Sequence, residues 1–449
     1  HRSVSRGLGD VYKRQTYDYL PDKQIIREQI KSVLQPIFIK YGFAPIETPV
    51  ICTYDLLASK YSEGADILNE MYKLSDQGKR KLGLRYDLTI TFSKLVSSNP
   101  NITLPFKRYE IGRVYRDGPV KLGRCREFTQ CDVDVVGVKS IMAEAEYMMM
   151  TNEAYKKLGL DVEIEFNNRK LLSGIIISVL GELSDEKLRK CIMLIDKFAK
   201  LTREELIEEF YKLDVSTKQF EELIDYFSLN YADLKKKLAN SKNNLIIQGL
   251  AEIDELYMYL EGTDAVERMR FAPYLARGID VYTGMVWEVF LKDRQIAGKD
   301  FNVSIGGGGR YDNIITTFID DGTEYPAVGM SFGLDVIYEI LALKDSKEKT
   351  SVVDIFVIPL GTEKKSFEFA SKLRNAGLKV EIDKNVKKLK KSMTYANKMN
   401  IPFVIILGED EITKGSVQLK NMKTGGNTKF YIDNVMEIKN FVLQESSAQ

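Results

Sequence analysis

Two segments, Phe106-Lys-Arg-Tyr-Glu-Ile-Gly-Arg-Val-Tyr-Arg116 and Arg124-Cys-Arg-Glu-Phe-Thr-Gln-Cys-Asp-Val-Asp-Val-Val136, flank the loop Asp117 to Gly123. Both are strand-like, and the loop between them is rich in glycine and charge, the pattern of an antiparallel hairpin. An antiparallel sheet is therefore the expected heart of the domain around it. Four arginines, Arg113, Arg116, Arg124 and Arg126, surround the loop. Arginine presents a planar fork of donors that keeps its charge, which suits bidentate contacts to a polyphosphate. Phe128 offers a ring that can stack on a purine. Taken alone, four arginines are explained equally well by a solvated charged hairpin.

Outward from the hairpin, apolar residues recur at helical spacing from Lys23 to Tyr41 (Ile26, Ile30, Val33, Leu34, Ile37), and Tyr41 to Pro49 leads into extended chain. Residues 1–15 show no clear period and are read as a leader, disordered or artefactual. From Leu171 to Glu261, Leu, Ile and Phe at helical spacing among Lys and Glu predict a helical insertion. Strand and turn signals return from Met269 to Ile337, and Leu341 to Thr350 is a polar linker. Beyond it, strands at Val353–Pro359, Val380–Asp383 and Phe403–Leu407 alternate with helices near 364–376 and 386–399, the signature of a small α/β domain. The expected plan is an α+β domain on an antiparallel sheet (16–170 and 262–345), a helical insertion (171–261) and an α/β domain (352–449).

The totals narrow the function. A chain of 449 residues holds roughly two to four domains, which excludes a single small binding module. Net charge is +1, so nucleic-acid contact must come from local basic surface such as Lys384-Asn-Val-Lys-Lys-Leu-Lys-Lys391, though a lysine run is also the usual solvated helix face. The longest apolar runs fall far short of the roughly 20 residues that cross a bilayer, and no signal-peptide pattern opens the chain, so a cytoplasmic protein without membrane partners is expected. Four cysteines (Cys52, Cys125, Cys131, Cys191) lack CxxC spacing and read as reduced thiols. With His1 the only histidine, imidazole general-base catalysis and histidine-ligated metals drop out, and no metal site is assigned.

The order of these pieces resembles class II aminoacyl-tRNA synthetases. The early helix, strand and Pro49 are similar to their dimer-forming motif 1, Phe106 to Gly137 to motif 2, and Ala327-Val-Gly-Met-Ser-Phe-Gly-Leu-Asp-Val-Ile337 to motif 3. Three segments resemble histidyl-tRNA synthetases in particular: Leu84-Arg-Tyr-Asp-Leu-Thr89, Arg277-Gly-Ile-Asp-Val-Tyr-Thr-Gly284 and Gly306-Gly-Gly-Gly-Arg-Tyr-Asp312. The likeness runs from about residue 16 to the C-terminus.

That resemblance implies ATP-dependent ligation of L-histidine to tRNA(His) through a histidyl-adenylate, by a homodimer whose α/β domain binds the anticodon, with Mg2+ bridging the outer phosphates. It assigns Asp87, Thr89 and Gln130 to the substrate α-ammonium, with Leu88 and Val281 beside them, and Asp134 and Tyr282 to the imidazole. Arg116 and Arg277 would grip the α-phosphate and be the catalytic pair, with Arg277 also reaching the histidine. Phe128 would pack on adenine, and Arg124, Arg126 and Arg310 would complete the ATP site. Singly, each element has a blander reading: Asp87, Thr89 and Gln130 as turn caps or sheet-edge hydrogen bonds, Arg277 as a surface residue before a turn, and the glycine run as a bulge.

Two positions depart from the family. Val336 stands where motif 3 supplies an arginine, leaving Arg124 or Arg310 as substitutes, and Val281 stands where tyrosine is frequent. The synthetase-like regulatory subunit of ATP phosphoribosyltransferase is the main alternative, a histidine sensor that lacks an anticodon-binding domain. A stress-sensing kinase would need kinase segments that are not in the sequence.

Overall fold

The architecture follows from a computed structural model, which describes residues 16–59, 66–118, 125–198, 201–277, 281–344, 351–385 and 388–447. The leader 1–15, Arg124, and Gly278 to Asp280 of the Arg277 segment lie outside the described residues. Among the described residues two compact units form, one from residues 16–17 and 29–344 and one from 351–447 together with 18–28.

The first unit is built on an eight-stranded sheet: β1 (Ala44–Pro45), β2 (Phe106–Tyr115), β3 (Glu127–Val136), β4 (Val162–Asn168), β5 (Met269–Phe271), β6 (Met285–Leu291), β7 (Gly306–Arg310) and β8 (Ala327–Gly333), in the order β1-β2-β3-β8-β7-β6-β4-β5. From β2 to β4 every pairing is antiparallel, while β1 and β5 add parallel edges. The expected hairpin is the pair β2 and β3.

Because side chains alternate along a strand, the register sorts the sheet into two unlike faces. One is apolar and buries Val133, Val135, Met330, Phe332, Trp287 and Val289. The helix Met142–Lys157 covers it, with the Tyr147 hydroxyl donating to the carbonyls of Val133 (3.2 Å) and Val328 (3.0 Å). Phe38 of the helix Pro21–Lys40 packs there too, its ring centroid 5.6 Å from that of Phe332. The other face carries Arg108, Glu110, Gln130, Asp132, Asp134, Ser331 and Glu288, and belongs to the site.

The described residues between 169 and 260 form six helices, from Arg169–Leu180 to Asn244–Leu260. Asn168, Ser184, Thr202, Ser216, Asn230 and Asn243 cap them by accepting backbone N–H groups. The Asn168 cap starts the first helix two residues before the point the periodicity predicts. Phe198, Phe210, Phe220 and Phe227 pack ring to ring inside the insertion.

The second unit holds a five-stranded sheet in the order Val380–Ile382, Ile355–Leu360, Phe403–Gly408, Ser416–Asn421, Asn427–Tyr431. Its first three strands are parallel, as the alternation with helices predicts, and the last two add an antiparallel hairpin that the sequence reading did not resolve. Among the described residues no helix is long and apolar enough to cross a membrane.

Candidate active site

Strand β3 pairs with β2 and β8 so that Gln130 stands between Gly112 and Gly333, Asp132 between Glu110 and Ser331, and Asp134 between Arg108 and Gly329. The two-residue period puts Gln130, Asp132 and Asp134 on one face. Arg108 is fully buried and its Nη2 lies 2.7 Å from Asp134 Oδ2, while the Tyr311 hydroxyl donates to Asp134 Oδ1. Glu110 is answered by Arg85, whose Nη1 lies 2.8 Å away, so two buried ion pairs stand side by side. Asp132 differs: burial pushes its carboxyl up to about 7, with Arg108 pulling it down and Asp134 adding to the rise. A buried carboxylate without its own cation favours its neutral form.

Glycines on β7 and β8 make room for neighbouring side chains. A Cβ on Gly307 would lie 2.2 Å from Arg277 Nη1, one on Gly309 2.6 Å from the Tyr282 ring, and one on Gly329 1.9 Å from Asp134 Oδ1. Arg277 and Tyr282 thus lie across the glycine strand. Arg277 has φ +48°, a left-handed backbone that costs a non-glycine residue on the order of 1 kcal/mol. Its Nη1 donates to the Trp287 carbonyl (3.1 Å), and its Nε lies 3.7 Å from Glu288. Burial works against its charge, but Tyr282 and Glu288 outweigh burial and raise its pKa.

Two residues that the sequence reading missed hold this segment. Asn167 donates from Nδ2 to the carbonyls of Pro273 (2.9 Å) and Leu275 (3.0 Å), and Arg169 donates from Nη1 to that of Ala276 (3.1 Å). Nothing in Asn167-Asn168-Arg169 announces this, since a polar triplet at a strand end reads as a helix cap.

Asp87 Oδ1 accepts the backbone N–H groups of Thr89 and Ile90, both at 3.0 Å, so it does cap the helix Thr89–Ser97. Leu88 is fully buried, and its carbonyl accepts from Arg108 Nη2 at 3.3 Å. Gln130 donates from Nε2 to Ser331 Oγ (2.9 Å), and its buried Oε1 has no hydrogen-bond partner among the described residues. Val281 packs half-buried against the cluster that contains Tyr86, Ile90 and Tyr311.

On the hairpin, the Arg116 guanidinium lies 4.2 Å from the Tyr86 ring centroid and 4.9 Å from that of Phe128. Arg126 pairs with Asp117 at 3.3 Å, and Arg113 is exposed against Glu127. Arg310 is the clear correction. With Gly309 facing the site, its neighbour must face away, and Arg310 grips Glu144 on the opposite side with two bonds of 2.7 and 2.8 Å. It also donates to the carbonyls of Val138 and Ser140, and its side chain is only 5% exposed, so it is not placed to meet ATP. Val336 lies on the helix Leu334–Lys344, whose Asp335 accepts the Thr129 N–H at 2.7 Å and pins β3.

An antiparallel core, an arginine-bearing hairpin and a glycine strand crossed by a second arginine define the catalytic unit of a class II aminoacyl-tRNA synthetase. Residues 15–337 match the histidyl-tRNA synthetase family, and residues 354–440 match the anticodon binding domain family. A relative from Bacillus cereus described as histidine–tRNA ligase 1 is 46% identical, covering 94% of this chain and 97% of that protein. The crystal structure of histidyl-tRNA synthetase from Nostoc sp. PCC 7120 superposes with a TM-score of 0.83 at 26% identity, covering 96% of this chain and 98% of that one. A Bacillus halodurans structure titled as an ATP phosphoribosyltransferase regulatory subunit/histidyl-tRNA synthetase gives a TM-score of 0.71 at 22% identity, covering 88% and 98%, a likeness of fold alone. The chain belongs to the histidyl-tRNA synthetase family.

Proposed function

We propose that the polar sheet face of the first unit is where this histidine–tRNA ligase activates its amino acid, joining L-histidine to ATP as histidyl-adenylate before transfer to tRNA(His). The observation that carries the assignment is Arg277. A strained backbone and a glycine floor deliver its guanidinium onto the same sheet face as Asp134 and the unpartnered acceptor of Gln130.

In this reading the α-ammonium is held by Gln130 with Asp87 and Thr89, whose oxygens are the acceptors an NH3+ requires. Asp134, fixed by Arg108 and Tyr311, and the Tyr282 hydroxyl take the two imidazole nitrogens. A site that pairs both ring nitrogens rejects analogues that leave its polar groups unsatisfied by a factor on the order of 10^4 to 10^5, so no editing step is required. Leu88 and Val281 supply the apolar wall.

The histidine carboxylate attacks the α-phosphorus and pyrophosphate leaves. No general base is involved, because the nucleophile is already ionised, and catalysis rests on positioning and on offsetting charge at phosphorus. Arg277 and Arg116 supply that charge from two sides. Phe128, stacked on Arg116, presents the ring for adenine, and Arg126 serves the outer phosphates. Mg2+ is assigned as the cation that ATP brings, serving to neutralise its outer phosphates. In the second step a ribose hydroxyl of the terminal tRNA adenosine attacks the adenylate carbonyl, while the basic second unit holds tRNA phosphates. A homodimer working in the cytoplasm completes the proposal.

Histidine-dependent ATP–pyrophosphate exchange by the purified full chain tests it. Exchange that falls by about 10^2 to 10^3 in Arg277→Ala supports the assignment. Histidine binding without any exchange would refute it in favour of a regulatory sensor.

A further inference from the structure

Arg108 has no exposed surface, and none of the motif-derived roles gives it a task. Register sets it directly opposite Asp134 on β3. Its guanidinium lies 4.4 Å from the Phe92 ring centroid, and its Nη2 donates to the Leu88 carbonyl at 3.3 Å. Nε and Nη1 are buried with no hydrogen-bond partner among the described residues. A guanidinium enclosed in this way is tolerated only beside an anion, and the nearest carboxylate is Asp134, at 2.7 Å.

The other charges on the face are already matched. Arg85 lies 2.8 Å from Glu110, which stands 3.9 Å from Arg108 Nη1, and Arg277 on the far side of the glycine strand lies 3.7 Å from Glu288. Asp87 caps its own helix, Tyr311 donates to Asp134 Oδ1, and Tyr147 beneath the sheet gives its hydroxyl to two carbonyls. Asp132 has no such match, and its Oδ1 is buried without a hydrogen-bond partner among the described residues. Burial pushes that carboxyl up to about 7, so it adds little negative charge at lower pH. The face can answer one substrate cation, the α-ammonium. At Asp134 no net charge is left for a second.

This matters because histidine is the amino acid whose side chain arrives either neutral or charged near neutral pH. Both forms can give a ring N–H to Asp134. A solitary carboxylate would favour the imidazolium, whereas one whose charge is already answered does not. A ring bonded to Asp134 would lie roughly 4 to 6 Å from the Arg108 guanidinium, the range in which a like charge disfavours ionisation.

We propose that Arg108 is a specificity-determining positioning residue: by answering the charge of Asp134 it makes the pocket take the neutral imidazole and exclude the imidazolium. Asp134 then accepts the single ring N–H, and the Tyr282 hydroxyl donates to the bare ring nitrogen. This rests on the reading that the polar face binds histidine. An Arg108 that served only to hold Leu88 and Asp134 in place would leave the charge of the bound ring unaffected.

Nitrogen NMR of ring-15N-labelled histidine, with the full chain in excess, tests this, because bare and protonated ring nitrogens resonate far apart. In the wild type one of each should persist from pH 8 down to pH 5.5, where free histidine, with a ring pKa of about 6.5, is mostly imidazolium. Arg108→Gln should move the titration of the bound ring up by roughly one to three pH units, so that imidazolium is bound at pH 6.5. Arg108→Lys, which keeps the charge, should restore the neutral ring. A neutral ring at pH 5.5 in a folded Arg108→Gln would overturn the proposal. Should that variant not fold, the wild type decides alone: a bound ring that titrates no lower than free histidine overturns it. Absence of any bound signal in the wild type at every pH would instead overturn the reading beneath it.

Discussion

Replacing Gly307 with alanine tests the geometry at Arg277 without touching a charge. The added Cβ would sit 2.2 Å from Arg277 Nη1 and 2.7 Å from the Trp287 carbonyl oxygen, the same oxygen that accepts from Arg277. Ordinary contact begins near 3.4 Å, so the guanidinium must retreat by more than 1 Å and lose its anchor. A misplacement of about 1 Å in an oriented group costs roughly 10^2 in rate, or about 2.7 kcal/mol of transition-state stabilisation. Pyrophosphate exchange should therefore fall about 100-fold in Gly307→Ala, chiefly in kcat. Truncating Arg277 removes the guanidinium clash but leaves the one at the Trp287 carbonyl, so the double variant Arg277→Ala/Gly307→Ala should be slower than Arg277→Ala alone by much less than about 100-fold. Exchange at the wild-type rate in Gly307→Ala, or losses in the double variant that multiply, would refute the idea that this glycine exists to seat Arg277.

Other consequences are equally direct. Glu144→Gln strands the Arg310 charge in the sheet and should cost about 3 to 5 kcal/mol of stability by denaturant unfolding; an altered KM for ATP at unchanged stability would restore Arg310 to the nucleotide. The raised pKa of Asp132 means that the unliganded protein loses stability as pH climbs from about 4 to about 7, with the whole cost present above 7. Asp132→Asn should therefore stabilise the histidine-free protein at pH 8 by up to a few kcal/mol, and a lower melting temperature at that pH would contradict the shift. Replacing Lys388, Lys390 and Lys391 by alanine should reduce the slope of log tRNA affinity against log salt by about 1 for each lysine that meets a phosphate; an unchanged slope would mark the run as a solvated face.

Periodicity carried most of the architecture because periodicity is what the core demands. The hairpin, the helical insertion and the parallel part of the second unit were all legible for that reason. The hairpin Ser416–Asn421 to Asn427–Tyr431 escaped because its strands are short and polar on one side. Arg310 shows where motif reading ends. It sits in a stretch shared with the family's substrate segments, but which face it takes depends on the register of β7, and its partner Glu144 lies 166 residues earlier. Asn167 and Arg169 were invisible for the same reason, since they act on carbonyls more than 100 residues downstream. Of the two aspartates on β3, the sequence singled out Asp134 alone. That Asp134 comes with its own arginine and Asp132 does not is a property of three strands at once.

The helical insertion is grafted at a consequential place. Its first helix opens at Arg169, the residue that fastens the carbonyl just ahead of Arg277, and Asn167, one residue before the cap, fastens two more. Shortening the protein by excising that helical module would remove the hinge pin of the segment that carries Arg277. Any tilt of the module's first turn is felt at Ala276. A trimmed enzyme would have to keep the strand end through Arg169 to hold the Arg277 segment, which makes this junction the boundary that truncation, domain exchange or drift in the insertion can approach but not cross.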